Sequence, residues 1–282
     1  MNRRCCRRSA PPRRARPRAP ASAACLLLLL AAASAHASPE RDRPAAPTVT
    51  PRVVELPGLR IDPAARTLQI RGWFVVTSPR VALEYLLSTQ EGKLHETLIA
   101  TECSAEHLML GLILLGLEPD NELQARGDPR PLRAPRLRIT ARWRDEHGVE
   151  QTAPVESLLY DLFARSTMPE VGWAFTGSRF VRGSSGQGER GGRTLAADVS
   201  GGLIAVYHDP DAVLDNPLLV GGDVPIIVPT FERPEVVRIL PGDERYVAYP
   251  ERVPARGTAV TLTARPLALP SPANAERERG GR

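Results

Sequence analysis

The chain has 282 residues, a formal charge of +5 and only 5% aromatic residues. The positive charge sits at one end: residues 1–37 hold eight arginines (Arg3, Arg4, Arg7, Arg8, Arg13, Arg14, Arg16, Arg18) and no acid, leaving 29 basic against 32 acidic residues over the rest. A slightly acidic body with no later basic run excludes the electrostatic footprint of a nucleic-acid binder.

Residues 1–20 are basic and interrupted by proline, residues 21–33 (ASAACLLLLLAAA) are apolar, and Ala35-His36-Ala37 places small residues where signal peptidase reads them. A cleavable signal peptide over 1–37 is predicted, with an exported, periplasmic or extracellular product. The apolar run is too short for a comfortable span and no stop-transfer pattern follows it, so no integral membrane segment is expected in the mature chain. Cys25 precedes the leucine run, against a lipidated cysteine, and the paired arginines are too far from the apolar block for a good twin-arginine signal. Cys5, Cys6 and Cys25 leave with the leader, so Cys103 stands alone and no intrachain disulfide is expected.

Residues 38–51 (SPERDRPAAPTVTP) form a predicted proline-rich linker, and a single globular domain over 52–267 follows. Thr67–Val76 and Val81–Ser88 carry β-branched and aromatic residues around a Thr77-Ser78-Pro79-Arg80 spacer and predict a hairpin. Gln90-Glu91-Gly92 is a second turn, and Leu94–Ala100 predicts a third antiparallel strand. Strand alternation would put His95, Thr97 and Ile99 on one face and Glu96 on the other.

Ser104 suits a helix N-cap, Glu106 suits the first turn, and Leu108–Leu117 is apolar nearly all round before Gly116 and Pro119. A buried, central leucine-rich helix is the expectation. A polar loop over 120–135 leads to Arg136–Arg144 (RLRITARWR), a strongly alternating strand that turns at Asp145-Glu146-His147-Gly148 into Val149–Val155. Val155–Phe163 predicts a short amphipathic helix and Val171–Val181 a strand. A Gly/Ser/Arg loop over 182–193 precedes predicted strands at Thr194–Val199 and Gly202–His208. Asp209–Pro217 is dense in turn and capping residues, Val224–Val228 and Ala259–Ala264 close the domain, and 268–282 predicts a disordered tail. The fold class predicted is α+β: a mainly antiparallel sheet, one central buried helix and a few short helices.

Five dispersed segments, EYLLST with GKLHETL, LGLILLGLEP, WAFTGSRF, AADVSGGLIAVYHDPDAVLDNP and GTAVTLTARP, occur in an order that resembles the YdjY-domain family of secreted or periplasmic bacterial proteins. That family's pattern includes a His-Glu-Ser segment before a leucine-rich helix; Thr97 stands where serine is expected and keeps the hydroxyl. The resemblance covers roughly residues 53–266 and implies an exported single domain with no particular reaction.

The candidate ligand-binding residues are His95, Glu96, Thr97, Cys103 and His107. Imidazole, carboxylate and thiolate suit a zinc-like ion, so a metal cofactor is possible, although the spacing matches no established motif. The bland reading makes His95 and Glu96 a structural polar pair. Cys103, just before a helix N-cap, could be an activated nucleophile given a base, or simply a buried thiol. Asp198, Asp209, Asp211, Asp215 and Asn216 offer oxygens for calcium but lack EF-hand spacing, which favours turns and caps. Thr176-Gly177-Ser178 lacks the flanks of a nucleophile elbow. The leading expectation is a non-enzymatic exported binding or interaction module. The alternative is a metal-dependent or hydrolytic enzyme centred on His95, Glu96 and His107.

Overall fold

The computed structural model describes residues 52–182, 192–218, 224–227, 237–240 and 244–267. The predicted signal peptide, linker and C-terminal tail, and most of the 182–193 loop, lie outside the described residues.

The described chain is sheet-dominated α+β. Its strands are β1 (Val54–Leu56), β2 (Leu59–Asp62), β3 (Thr67–Phe74), β4 (Tyr85–Thr89) and β5 (Thr97–Thr101), followed by helix α1 (Ala105–Leu114). Next come β6 (Arg136–Arg144), β7 (Glu150–Pro154), β8 (Leu159–Asp161), β9 (Ser166–Thr167), β10 (Trp173–Ala174), β11 (Phe180–Arg182) and β12 (Arg193–Leu195). Helix α2 (Ala196–Ser200), β13 (Gly202–Ala205), β14 (Leu214–Asp215), β15 (Val224–Ile227), β16 (Val237–Leu240), β17 (Tyr246–Ala248) and β18 (Ala259–Pro266) complete the order.

The main sheet closes on itself. Eight strands follow one another as β3, β18, β6, β10, β14, β13, β4 and β5, and β5 returns to pair with β3. Two long strands make this possible by dividing one edge between two partners. β3 gives Thr67–Ile70 to β2 and Gly72–Phe74 to β5; β6 gives Arg136 and Leu137 to β10 and Thr140–Arg144 to β7. Gly72 stands at the first switch, where an added Cβ would run into the Ala100 carbonyl, so only glycine lets β5 take over the edge.

β6 follows its sequence pattern: Leu137, Ile139, Ala141 and Trp143 face the core while the intervening residues face outward. β18 pairs with it from Val260 to Pro266. The turn at Asp145–Gly148 into β7 is present, closed by Asp145 N–H donating to Val149 O at 3.0 Å.

The expected hairpin of Thr67–Val76 with Val81–Ser88 does not form, because β4 pairs antiparallel with β13 and parallel with β5. The strand expected after Gln90 forms only from Thr97, because Leu94–Glu96 is a 3-10 turn, and β5 runs antiparallel to β3 but parallel to β4. The burial explains the missing hairpin. Tyr85–Ser88 and all of β5 are buried without alternation, as in strands covered on both faces, which parallel pairing tolerates and a half-exposed hairpin does not. Only residues 90–96 connect this parallel pair, fewer than the dozen or more usual for such a crossover.

Helix α1 starts as read, with Ser104 Oγ accepting from His107 N, and ends at Gly116, whose φ is +79°. Leu117 N donating to Leu112 O closes the left-handed cap. It is not central and buried. Ala105, Leu108, Gly111 and Leu112 pack inward, with Gly111 against Ile61 and Leu68, whereas Leu110, Ile113 and Leu114 are 46%, 50% and 44% exposed. A helix laid against an outer strand ribbon has one covered face, whatever its composition.

Three further expectations change. Val155–Phe163 is a 3-10 turn (Val155–Leu158) running into β8, Val171–Val181 breaks into β10 and β11 at Gly177 (φ +67°), and Thr194–Val199 turns from β12 into α2. No helix among the described residues is long and apolar enough to cross a membrane.

Candidate functional site

The short crossover from β4 to β5 carries a dense charged cluster at one end of the closed sheet. Lys93 Nζ donates to Glu84 Oε2 at 2.8 Å and lies 3.8 Å from Glu96 Oε2. Arg126, from the loop between α1 and β6, also pairs with Glu84 and lies over the Tyr207 ring, 5.7 Å from its centroid. Partial burial works against the Glu84 charge, but the hydrogen bonds from Lys93 and Arg126 outweigh it and hold the carboxyl below its usual value. Burial and the neighbouring Glu84 push Glu96 the other way. Of the two adjacent carboxyls, Glu84 keeps the charge and Glu96 takes the proton first.

His95 and Glu96 do meet, because a 3-10 turn replaces the strand whose alternation would have parted them: His95 Nε2 is 3.6 Å from Glu96 Oε1. The imidazole is 74% exposed. Thr97 is fully buried, and its hydroxyl donates to Lys93 O at 2.7 Å and lies 2.9 Å from Ser88 Oγ. It ties the crossover to β4.

Behind this cluster, residues of the β13–β14 connection form a buried polar chain. Tyr85 OH donates to Asp209 Oδ2 at 2.6 Å, and Asp209 N donates to Asp215 Oδ2 at 2.8 Å. Burial raises the Tyr85 hydroxyl pKa, and Asp209 adds to the effect. Asp215 is fully buried, so its carboxyl also lies well above the ordinary range, and its Oδ1 has no partner. His208 Nδ1 faces the Asp128 carbonyl at 2.7 Å, an acceptor that assigns the proton to Nδ1 and leaves buried Nε2 without a partner.

Cys103 and His107 lie at the other end of β5, five strand residues or roughly 16 Å of chain from Glu96. Cys103 is fully buried, and its thiol donates to Ser104 O at 3.4 Å. Burial, with Asp198 nearby, pushes it up to about 12, which overrides any activation from the helix start. His107 is half-buried with Nδ1 unpartnered. Among the described residues, no group of three or more His, Cys, Asp or Glu side chains comes together as a metal would require.

The aspartates have separate tasks. Asp198 accepts from Ala105 N at 2.9 Å and caps α1, Asp211 pairs with Arg179 at 2.7 Å, and Asn216 bonds Val206 O and Leu218 N. Ser178 Oγ accepts from Ala197 N at 2.9 Å, a supporting role at the start of α2.

A cleft of about 650 Å³ opens elsewhere, between the β6–β7 hairpin and the loop entering β18. Trp143, Gln151, Thr152 and Ala153 line one side and Glu251 to Ala255 the other. None of the residues nominated from sequence borders it. Trp143 is 8% exposed and meets Phe74 edge-on, with ring centroids 6.0 Å apart. Sequence pattern placed Trp143 on the core face of its strand; the opposing wall comes from over a hundred positions away, and nothing local announces it. Lys93, the chain's only lysine, was a visible signal beside His95 and Glu96, whereas Glu84 and Arg126 were not.

No protein-family model, curated protein or solved structure matches this chain.

Proposed function

We propose that the chain is an exported, non-enzymatic binding module whose ligand site is the cleft between the β6–β7 hairpin and residues 251–255. The carrying observation is the cleft itself: its volume falls within the range of ligand pockets, and it combines an aromatic floor, a strand and a proline-bearing wall. By contrast, His95 and Glu96 are engaged with each other at the β4–β5 crossover, Cys103 is sealed in the core, and His107 stands apart, half-buried on α1. Export rests on the leader pattern of residues 1–37, and the ordered motifs that resemble the YdjY-domain family agree with it.

Fragment mapping by NMR tests the site, using isopropanol, acetamide and phenol as probes on the full chain. Shifts clustering at Trp143, Ala153 and Val253 are expected. Clustering around Glu84, His95 and Glu96 instead would overturn the assignment.

The alternative, a metal-dependent or hydrolytic enzyme centred on His95, Glu96 and His107, has one observation in its favour. Glu96 carries a raised pKa beside an exposed imidazole, a pairing suited to proton transfer. Thermal stabilisation by zinc, calcium or manganese that disappears in His95→Ala would support it; an unchanged melting curve with all three would remove it.

A further inference from the structure

The three long strands of the closed sheet carry arginine and threonine on their outer face. β3, β18 and β6 are consecutive antiparallel neighbours, with Leu68, Ile70, Leu262, Ala264, Leu137 and Ile139 toward the core. Alternation turns the intervening positions outward, and the register sets them in rows across the strands. Arg71, Thr261 and Arg142 form one row, Gln69, Thr263 and Thr140 the next, and Arg265 stands opposite Arg138 in the third. None of the three strands contains an aspartate or glutamate, although acids slightly outnumber bases over residues 38–282.

These arginines differ in how they are engaged. Arg71 Nη1 lies 3.9 Å from Glu55 Oε2, and Arg142 Nη1 lies 3.5 Å from Glu150 Oε2, both carboxylates coming from flanking strands. All four side chains are at least half exposed, so these pairs are weak, and Glu55 is shared with Arg60. Arg138 and Arg265 are exposed, and no acidic side chain among the described residues pairs with either. They are register partners, which sets their Cα atoms roughly 5 Å apart. Like charges directly opposite on a ladder repel. An anion held between the two guanidinium forks replaces that repulsion with charge-assisted hydrogen bonds on both sides.

We propose that this outer face of β3, β18 and β6 is a second binding surface, independent of the cleft, and that its ligand is an acidic polysaccharide with one acidic group held between Arg138 and Arg265 and another at the Arg71 and Arg142 row. Arg138 and Arg142 are four residues apart on β6, roughly 14 Å along the strand. The row between them, Gln69, Thr263 and Thr140, is uncharged and hydrogen-bonding, which matches acidic groups separated by hydroxyl-bearing rings. A nucleic-acid strand calls for several aromatic platforms on which successive bases stack, and this face has only Trp73, half-buried two residues beyond Arg71. Insertion into a lipid surface needs exposed large apolar side chains, and the outward positions of these three strands hold no leucine, isoleucine, valine or phenylalanine.

The test uses the full chain in low-salt buffer with three probes: hexagalacturonate, its methyl ester and hexathymidylate. Binding is read by calorimetry and by NMR of arginine side chains and of the Thr140, Thr261 and Thr263 amides. Hexagalacturonate should bind and shift those amides together with the Arg138 and Arg265 side-chain signals. Esterification should weaken binding at least tenfold, and so should Arg138→Gln with Arg265→Gln. Arg133→Gln with Arg256→Gln, the same change of charge at exposed positions elsewhere, should weaken it less than twofold. Without ligand, the Arg138→Gln and Arg265→Gln protein should melt no lower than the parent, because a repulsion is relieved. A lower melting temperature would show that the two arginines hold the fold, and would overturn the assignment. Equal losses in the two double variants, tighter binding of hexathymidylate than of hexagalacturonate, shifts confined to other surfaces, or no binding up to millimolar hexagalacturonate would each overturn it as well.

Discussion

Replacing Glu156 by glutamine separates the cost of its charge from the cost of its volume. Glu156 lies in the turn after β7, is 1% exposed, and has Oε2 without a hydrogen-bond partner. Burial, with the Glu170 carboxylate adding to it, pushes its pKa from 4.5 up to about 7. At about 1.4 kcal/mol per unit, that shift corresponds to roughly 3 kcal/mol. The sign follows from its direction. A carboxyl with a raised folded-state pKa contributes stability fully below pH 4.5, loses it as pH rises through 7, and leaves a buried anion above that. Glutamine mimics the protonated form, so Glu156→Gln should match the parent near pH 5 and exceed it by roughly 3 kcal/mol at pH 8.5. Urea unfolding of both proteins from pH 5 to 8.5 measures this difference directly, and subtraction removes the shared contributions of Glu96 and Asp215. A difference that stays constant across that range would refute the reasoning.

Removing the Arg126 charge as Arg126→Met leaves Glu84, 12% exposed, with Lys93 alone, and should cost about 1–3 kcal/mol by chemical unfolding. It should also raise the Glu84 pKa, visible in carboxyl carbon NMR titration; an unshifted Glu84 would contradict the pairing. On α1, Leu108→Ala and Leu112→Ala should each cost about 2–5 kcal/mol, while Leu110→Gln and Ile113→Gln should stay within about 0.5 kcal/mol. Equal costs on both faces would restore the central helix. The Cys103 thiol, with a pKa about four units above pH 8, should resist iodoacetamide in the native protein and react once urea unfolds it, as read by peptide mass mapping. Labelling of native protein within minutes would show the thiol to be accessible.

Local patterns were legible where one periodicity dominated. Arg136–Arg144 alternates without exception, so its strand, its buried face and its turn at Asp145–Gly148 follow from sequence alone. Ser104 and Gly116 mark the ends of α1 through their own backbone chemistry. Pairing was not legible in the same way. Leu86, Leu87, Leu98 and Ile99 predict strands, but continuous apolar runs do not say which neighbours cover both faces. His95 and Glu96 were nominated together from sequence, and their expected parting by strand alternation failed because Leu94–Glu96 turns. The partners that set their charge state, Glu84 and Arg126, come from separate segments.

Composition and short-range chemistry therefore determined the sheet-dominated α+β class, the buried face of β6 and the caps of α1, because each depends on residues within a few positions of one another. Closure of the sheet, exposure of one α1 face, the proton order of Glu84 and Glu96, and the cleft beside β7 were decided only by tertiary structure. Each requires segments distant in sequence to share one edge, one surface or one desolvated volume. Those long-range choices depend on which whole arrangement buries most apolar surface with its polar groups paired, a sum that no single stretch of the chain contains.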